Sequence, residues 1–370
     1  MGTAVAPGYA KDVGTVVNAG SENAVNGSYL VLFEEGSRPD VAEYGLRVRE
    51  RYDSAVHGVL AEGSAEQARR LAADPEVKRV EQNTLVGRPA RPRLTESAPS
   101  SCGLDRIDQR SLPLDGSYAY PPRAAAGVNV YVIDTGIDYS HPDLRPRARP
   151  GFDAFGGDGS DEHGNGTYMA GIIGGTEHGV AKKAKLISVK VLDAQGGGTL
   201  AGVVAGIDWV TKHAKGPSVA NFVIGAPISE VLDEAVRNSI AAGVTYAMSA
   251  GASSHDVADT SPARVAEAIT VGSSDCADRV ASFSNYGAGL DLYAPGVDIT
   301  SAWPGGGTFT DSGTSVSAAH ASGAVALYLG GHPKATPAAV GRALDRAAVV
   351  GALTGVPTSS TPNKLLQLAY

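Results

Sequence analysis

Hydrophobic and polar positions along the chain fall into two differently patterned regions. The first 27 residues are small and polar and read as a flexible segment. From Ser28 the text changes. Tyr29-Leu30-Val31-Leu32-Phe33 is a short continuous apolar run, the pattern of a buried strand. Asp40 to Arg51, with Val41, Tyr44, Leu46 and Val48 spaced among charges, predicts a helix. Ser54 to Leu60 predicts a second strand, Ala65 to Ala73 a helix, and Val77 to Gln82 a third strand. Such alternation over a short stretch suits a small α+β domain, here 28–87. Pro89, Pro92 and Pro99 among Arg and Ser give 88–99 the composition of a linker. Beyond it, β-branched runs (Val128 to Asp134, Ala184 to Val191, Val219 to Ile224, Val244 to Ser249, Ala268 to Val271) alternate with helix-length segments. Those segments are Leu200 to Val210, Glu230 to Ala242 and Ser317 to Leu329. Near-continuous apolar strands separated by helices predict an α/β fold for 100–370, a three-layer parallel sheet with helices on both faces. Sites in such sheets form beyond the carboxyl ends of the strands.

Composition narrows this only modestly. The chain has 370 residues, 43% of them hydrophobic, which is enough for more than one core. A net charge of −8 argues against a nucleic-acid partner, because phosphate binding needs clustered Lys and Arg. No apolar run reaches the roughly 20 residues of a membrane span, so no membrane partner is expected. The chain begins without a basic segment followed by an apolar one, which fits a cytoplasmic protein if that start is native and a secreted one if a signal has been removed. The two cysteines, Cys102 and Cys276, have no metal-ligand spacing and are expected to be unpaired thiols.

Chemistry concentrates at two strand or helix ends. Asp134 closes the run Val130 to Ile133 and is followed by Thr135-Gly136, which puts a carboxylate at the sheet edge. Ser315 follows Gly313-Thr314 and enters a helix of small residues, so its hydroxyl stands at a helix N-terminus that favours developing negative charge. On local grounds Asp134 reads more readily as a cap or turn residue, and Ser315 could equally serve as a helix cap.

The strings VYVIDTGIDYSHPDL (130–144), DEHGNGTYMAGIIGG (161–175), GVAKKAKLISVKVLD (179–193), SFSNYG (282–287) and SGTSVSAAHASG (312–323) resemble the subtilisin family of serine proteases, peptidase family S8, most closely its proteinase K branch. Residues 28–86 resemble the inhibitory propeptide of that family. The resemblance implies a subtilisin-like fold behind a propeptide-like domain retained in cis. It places the triad aspartate on Asp134 and the nucleophile on Ser315. The family's histidine block, Gly-His-Gly-Thr-His, corresponds to Gly164-Asn165-Gly166-Thr167-Tyr168, so Asn165 stands at the general-base position. A neutral amide does not accept a proton near pH 7. The oxyanion asparagine falls on Ala252, which has no side-chain donor. In subtilisin itself, loss of the base costs about a million-fold in turnover and loss of the oxyanion donor about 100- to 1000-fold.

Further departures follow. The family's substrate-binding Asn-Met-Ser-Leu-Gly-Gly becomes Asn221-Phe222-Val223-Ile224-Gly225-Ala226. A disulfide frequent in the branch is absent, its positions being Glu162 and Ala194. Among other histidines, His163 is expected to point away from the site, His141 and His320 to be structural, and His255 to border the cleft. Tyr168 and His255 complete the set of candidate catalytic groups, and Asp291 matches a calcium-ligand position of the family. No other cofactor is expected. The sequence therefore predicts a subtilase-fold protein that binds a peptide, a protein or a small molecule in a degenerate cleft. The alternatives are a repurposed non-proteolytic enzyme and a weak or rewired serine hydrolase.

Overall fold

The computed structural model describes residues 13–87 and 102–369; the first twelve positions and the 88–99 linker lie outside the described residues. The chain divides into two compact units, 1–85 and 86–370.

In the first unit, β1 (Val16–Val17), β2 (Ala24–Phe33), β3 (Arg47–Tyr52), β4 (Gly58–Glu62) and β5 (Val77–Gly87) pair in the order β1-β5-β2-β4-β3. Helix α1 (Ala65–Leu71) starts at Ser64, whose side chain accepts from Gln67 N while the Gln67 amide oxygen accepts from Ser64 N. This reciprocal pair satisfies two backbone donors that a helix start leaves open. Leu71 and Ala68 close the core over Tyr29, Val31 and Val59.

The helix expected over Asp40 to Arg51 is absent. Only Val41–Tyr44 coil, as one 3-10 turn capped by the Asp40 side chain, and Gly45 at φ 80° ends it. A left-handed residue just past a helical turn is the usual stop, and glycine takes it without steric cost. Arg47–Tyr52 then forms edge strand β3, where a register shift between Val48 and Glu50 breaks the two-residue alternation. The second strand is likewise displaced from Ser54–Leu60 to Gly58–Glu62.

The second unit is built on a nine-stranded sheet. Its strands are β6 (Asn129–Asp134), β7 (Ala148–Asp153), β8 (Lys185–Lys190), β10 (Ser218–Phe222), β11 (Thr245–Ser249), β12 (Ile269–Ser274), β13 (Leu292–Pro295), β16 (Val349–Val350) and β17 (Lys364–Leu365). They run in the order β16-β17-β13-β12-β11-β10-β6-β8-β7, and every pairing is parallel except β16 with β17. A short strand β9 (Gly197–Thr199) precedes helix α4.

Helices cover both faces, as the unbroken apolar strands required. Val130 and Val132 of β6 join the core formed with α3 (Asn165–Gly174), α6 (Thr314–Gly331) and α7 (Pro337–Ala347). Tyr131, between them, packs on Trp209 of α4 (Leu200–His213) on the opposite face, where α5 (Glu230–Ala241) lies against α4. Thr199, Ser229 and Thr336 cap α4, α5 and α7 with side-chain oxygens. An antiparallel hairpin, β14 (Ile299–Trp303) and β15 (Gly307–Asp311), leads directly into α6.

The expectation of free thiols is overturned, because Cys102 and Cys276 form a disulfide with Cα atoms 6.1 Å apart. Cys102 precedes helix α2 (Gly103–Asp108), and one turn later Arg106, 0% exposed, meets Asp278 through two hydrogen bonds of 2.7 and 2.9 Å. The ion pair and the disulfide bring together segments 172 and 174 residues apart, a proximity that spacing along the chain does not encode. A disulfide also suits an oxidising compartment rather than the reducing one that free thiols would fit.

Candidate functional site

The sheet changes direction at β6. From there the chain first builds β8 and β7 on one side, then crosses over to add β10 through β13 on the other. Asp134, the last residue of β6, therefore stands at the switch point where α/β sheets open a crevice. It is fully buried, and its carboxylate accepts from Thr135 N at 2.7 Å and from Asn165 Nδ2 at 2.5 Å.

Asn165 reaches Asp134 because α3 begins hard against the turn after β6. A Cβ on Gly166 would stand 2.0 Å from Gly136 O, so glycine is the only residue that permits this approach. The helix start has no capping side chain at Gly164 itself, which sits at φ 115°. Asp161 replaces that cap: its carboxylate accepts from His163 N, Gly164 N and Thr167 N. Three backbone donors on one carboxylate fix the first turn of α3, and with it the Asn165 side chain.

Ser315 is the second residue of α6 and is 4% exposed. Thr314 Oγ1 beside it accepts from Gly251 N at 3.2 Å, which ties the helix start to the loop after β11. Asn285 shapes that loop further: its Nδ2 donates to Ala250 O, and its Oδ1 accepts from Ser253 N and His255 N. Ala252 and His255 are left exposed on the rim.

A cavity of about 490 Å³ is lined by Asn165, Ser315, Ala252, His255 and Tyr168 together, within the range of a small-molecule site. His163 lines it too, contrary to the expectation that it points away, and its Nδ1 accepts from Asn165 N at 3.3 Å. Phe222, Val223 and Ile224 form part of the wall.

Tyr168 is in the cavity wall, but its hydroxyl is committed elsewhere. It donates to Ile299 O at 2.5 Å and its ring packs edge-on to Phe309, so it anchors the β14–β15 hairpin to α3. His141 also binds that hairpin, through Nε2 to Gly307 O at 2.9 Å. His320 is buried within α6, with Nδ1 3.0 Å from Val316 O, and burial pushes its pKa down to about 4. Both are structural.

Asp291 lies apart from this constellation, just before β13. Its carboxylate accepts from Thr270 N at 2.8 Å. Among the described residues no group of three or more His, Cys, Asp or Glu gathers as a metal site.

Two residues of the site escaped the sequence reading. Lys190, buried at the end of β8, donates from Nζ to Thr135 O at 2.6 Å and so supports the turn that carries Asp134. Trp303, from the hairpin, lines the cavity beside Asn165. Lys190 pairs with Asp134 across the sheet, a register visible only once β6 and β8 are neighbours. The run Ser301-Ala302-Trp303-Pro304-Gly305 carried a turn signal that could have located the hairpin.

Comparison with known proteins accounts for this arrangement. Residues 125–367 match the subtilase family, peptidase S8, and residues 26–88 match the peptidase inhibitor I9 family. The chain is 47% identical over 304 residues to an extracellular serine proteinase of Thermus sp. (strain Rt41A), spanning 81% of this chain and 73% of that protein. It is 38% identical over 374 residues to alkaline serine exoprotease A of Vibrio alginolyticus, spanning 95% and 69%. The crystal structure of a cold adapted subtilisin-like serine proteinase superposes with a TM-score of 0.71 at 43% identity, covering 74% of this chain and all (100%) of that one. A parallel sheet with its crevice at the end of β6, an Asp and a Ser at that crevice, and these matches agree: the chain belongs to the subtilase family and carries an inhibitor I9 propeptide domain ahead of its subtilisin-like domain.

Proposed function

We propose that this protein is a pseudoprotease, which keeps the subtilase cleft for holding a peptide or protein and does not cut it by the conventional mechanism. The observation that carries this reading is the Asn165 amide donating to Asp134 at the position that corresponds to the family's general base. Asn165 donates through Nδ2 to Asp134, which leaves its Oδ1 on the other side. Such an oxygen can accept a hydrogen bond from a hydroxyl but cannot take its proton, and a serine without a base is a poor nucleophile. Ala252 adds to this, because a methyl at the oxyanion position offers nothing to a developing charge. The relatives named above are serine proteinases; what comes from them to this chain is the scaffold and its cleft.

The test is a fluorophosphonate probe applied to the purified full-length chain. No labelling above a Ser315→Ala control is expected. Strong labelling that this substitution abolishes would establish an activated serine, and with it a rewired hydrolase. A protein that cannot cut itself should also keep its I9 domain covalently attached, so intact-mass analysis should find one species; spontaneous cleavage between Val86 and Ser100 would refute the reading. A second reading, a repurposed enzyme acting on a small molecule, is favoured by the cavity of about 490 Å³ that holds Ser315 and His255 on common walls.

A further inference from the structure

The cavity has an aromatic shelf on the Asn165 side. Trp303 lies so close to the backbone before Asn165 that a Cβ on Gly164 would stand 2.4 Å from its ring. Behind it Phe309 packs at 4.6 Å between centroids, tilted by 44°, and Tyr168 meets Phe309 edge-on at 6.0 Å. Three rings in series, held at the far end by the Tyr168 hydroxyl on Ile299 O, make the shelf a rigid part of the domain. Trp303 itself is half-buried and contributes to the cavity lining.

Charge on the cavity wall itself is a carboxylate's, while behind the wall buried Lys190 stands beside Asp134 with its Nζ on Thr135 O. Among the described residues, Asp311 is the one carboxylate lining the cavity, and no lysine or arginine lines it. Asp311 sits on the same hairpin, its Oδ1 accepting from Ser312 N at 2.8 Å. Buried Asp134 lies directly behind Asn165, and the whole chain carries a net charge of −8. An acidic ligand group would meet no lysine or arginine on the wall, whereas a cation would meet a carboxylate beside an indole that lines the cavity.

The geometry points to Trp303 as a specificity-determining residue that seats a cationic side chain, of the lysine or arginine class, on the Trp303 and Asp311 side of the cleft. This rests on the reading that the cleft holds a peptide. A cation over tryptophan is worth from about 2-fold to about 30-fold in affinity, the larger value applying when the pair is desolvated.

The chain contains two tryptophans, and the other, Trp209, packs among Tyr131 and Phe152 against the opposite face of the sheet. In a Trp209→Phe background, emission therefore reports on Trp303 alone. The probes are blocked, fluorescein-labelled hexapeptides of alanine in which arginine, leucine or glutamate occupies each position in turn, with affinity read by anisotropy on the full-length chain. The expected result is that the best arginine peptide binds at least about 10-fold tighter than its glutamate counterpart and perturbs Trp303 emission. Trp303→Ala should then weaken it by about 5-fold or more. Trp303→Phe, which keeps a ring on the shelf, should lose less, and Asp311→Asn should narrow the gap between the arginine and glutamate peptides. Tight binding that is indifferent to Trp303→Ala, or equal binding of arginine and glutamate peptides, overturns this inference while leaving a peptide-holding cleft intact. Failure of every peptide to bind at millimolar concentration overturns both.

Discussion

Replacing Asn165 by Leu removes one hydrogen-bond donor from the cleft at nearly constant volume. Asp134 is 0% exposed, and the Asn165 Nδ2 donor 2.5 Å from its Oδ2 has no substitute on a leucine. A hydrogen bond to a charged group contributes about 1.5–3 kcal/mol, and a buried carboxylate deprived of a partner costs more than the lost bond alone. The substitution should therefore destabilise the domain by about 2–4 kcal/mol, which lowers the midpoint of thermal unfolding by about 5–10 °C in a domain of this size. Calorimetry and urea titration of four proteins (parent, Asn165→Leu, Asp134→Asn and the double variant) measure the effect and its origin. Asp134→Asn removes the carboxylate that Asn165 serves, so in the double variant the leucine no longer takes a donor from it. The double variant should be about 1–3 kcal/mol more stable than the sum of the single effects requires. Additivity within about 0.5 kcal/mol, or a cost of Asn165→Leu below that, would show that Asn165 is not built as the partner of Asp134, and the structural basis of the pseudoprotease reading would fall with it.

The converse substitution is informative as well. Asn165→His with Ala252→Asn should raise cleavage of a blocked peptide nitroanilide by at least about 1000-fold over the parent, with Ser315→Ala abolishing the gain; persistent inactivity would locate a further obstacle at Val223 and Ala226. Cys102→Ala with Cys276→Ala opens a loop of 174 residues, for which chain entropy sets a loss of at most about 5 kcal/mol. The Arg106–Asp278 pair should still hold α2 in place, so circular dichroism should be unchanged while the midpoint falls, and an unchanged midpoint would contradict the disulfide. His320 is held neutral by burial, with its pKa lowered to about 4 against about 6.5 when unfolded. Between those values the unfolded chain binds the extra proton. Stability is thus complete above about pH 6.5 and declines by about 3 kcal/mol as pH falls toward 4. His320→Gln should flatten that part of the profile; an identical slope in the variant would assign the loss to other groups.

Much of this protein was legible before any coordinate. Strands such as β6 and β8 are short and carry a buried β-branched and aliphatic centre because helices cover both faces of the sheet, and that requirement is written locally in them. Elements defined by weak local signals were not legible. β13 has four residues, too few for a period, and β3 hides its alternation behind a bulge. Asn165 and Ser315 stood out as residues in a motif, yet that Asn165 bonds Asp134, and by which atom, follows only from the approach of Gly166 to Gly136.

What sequence alone determined, then, was the alternation of the longer core strands with helices, the division into two units and the residue types at the cleft. Each of these is set by the chain's immediate neighbours or by its chemistry. Tertiary structure decided the rest. It joined Cys102 to Cys276, carried Trp303 from a hairpin to the wall beside Asn165, and turned His163 toward the cavity. These contacts arise from packing between segments far apart along the chain, and hydrophobic periodicity, which registers which face of an element is buried, holds no record of what that face is buried against.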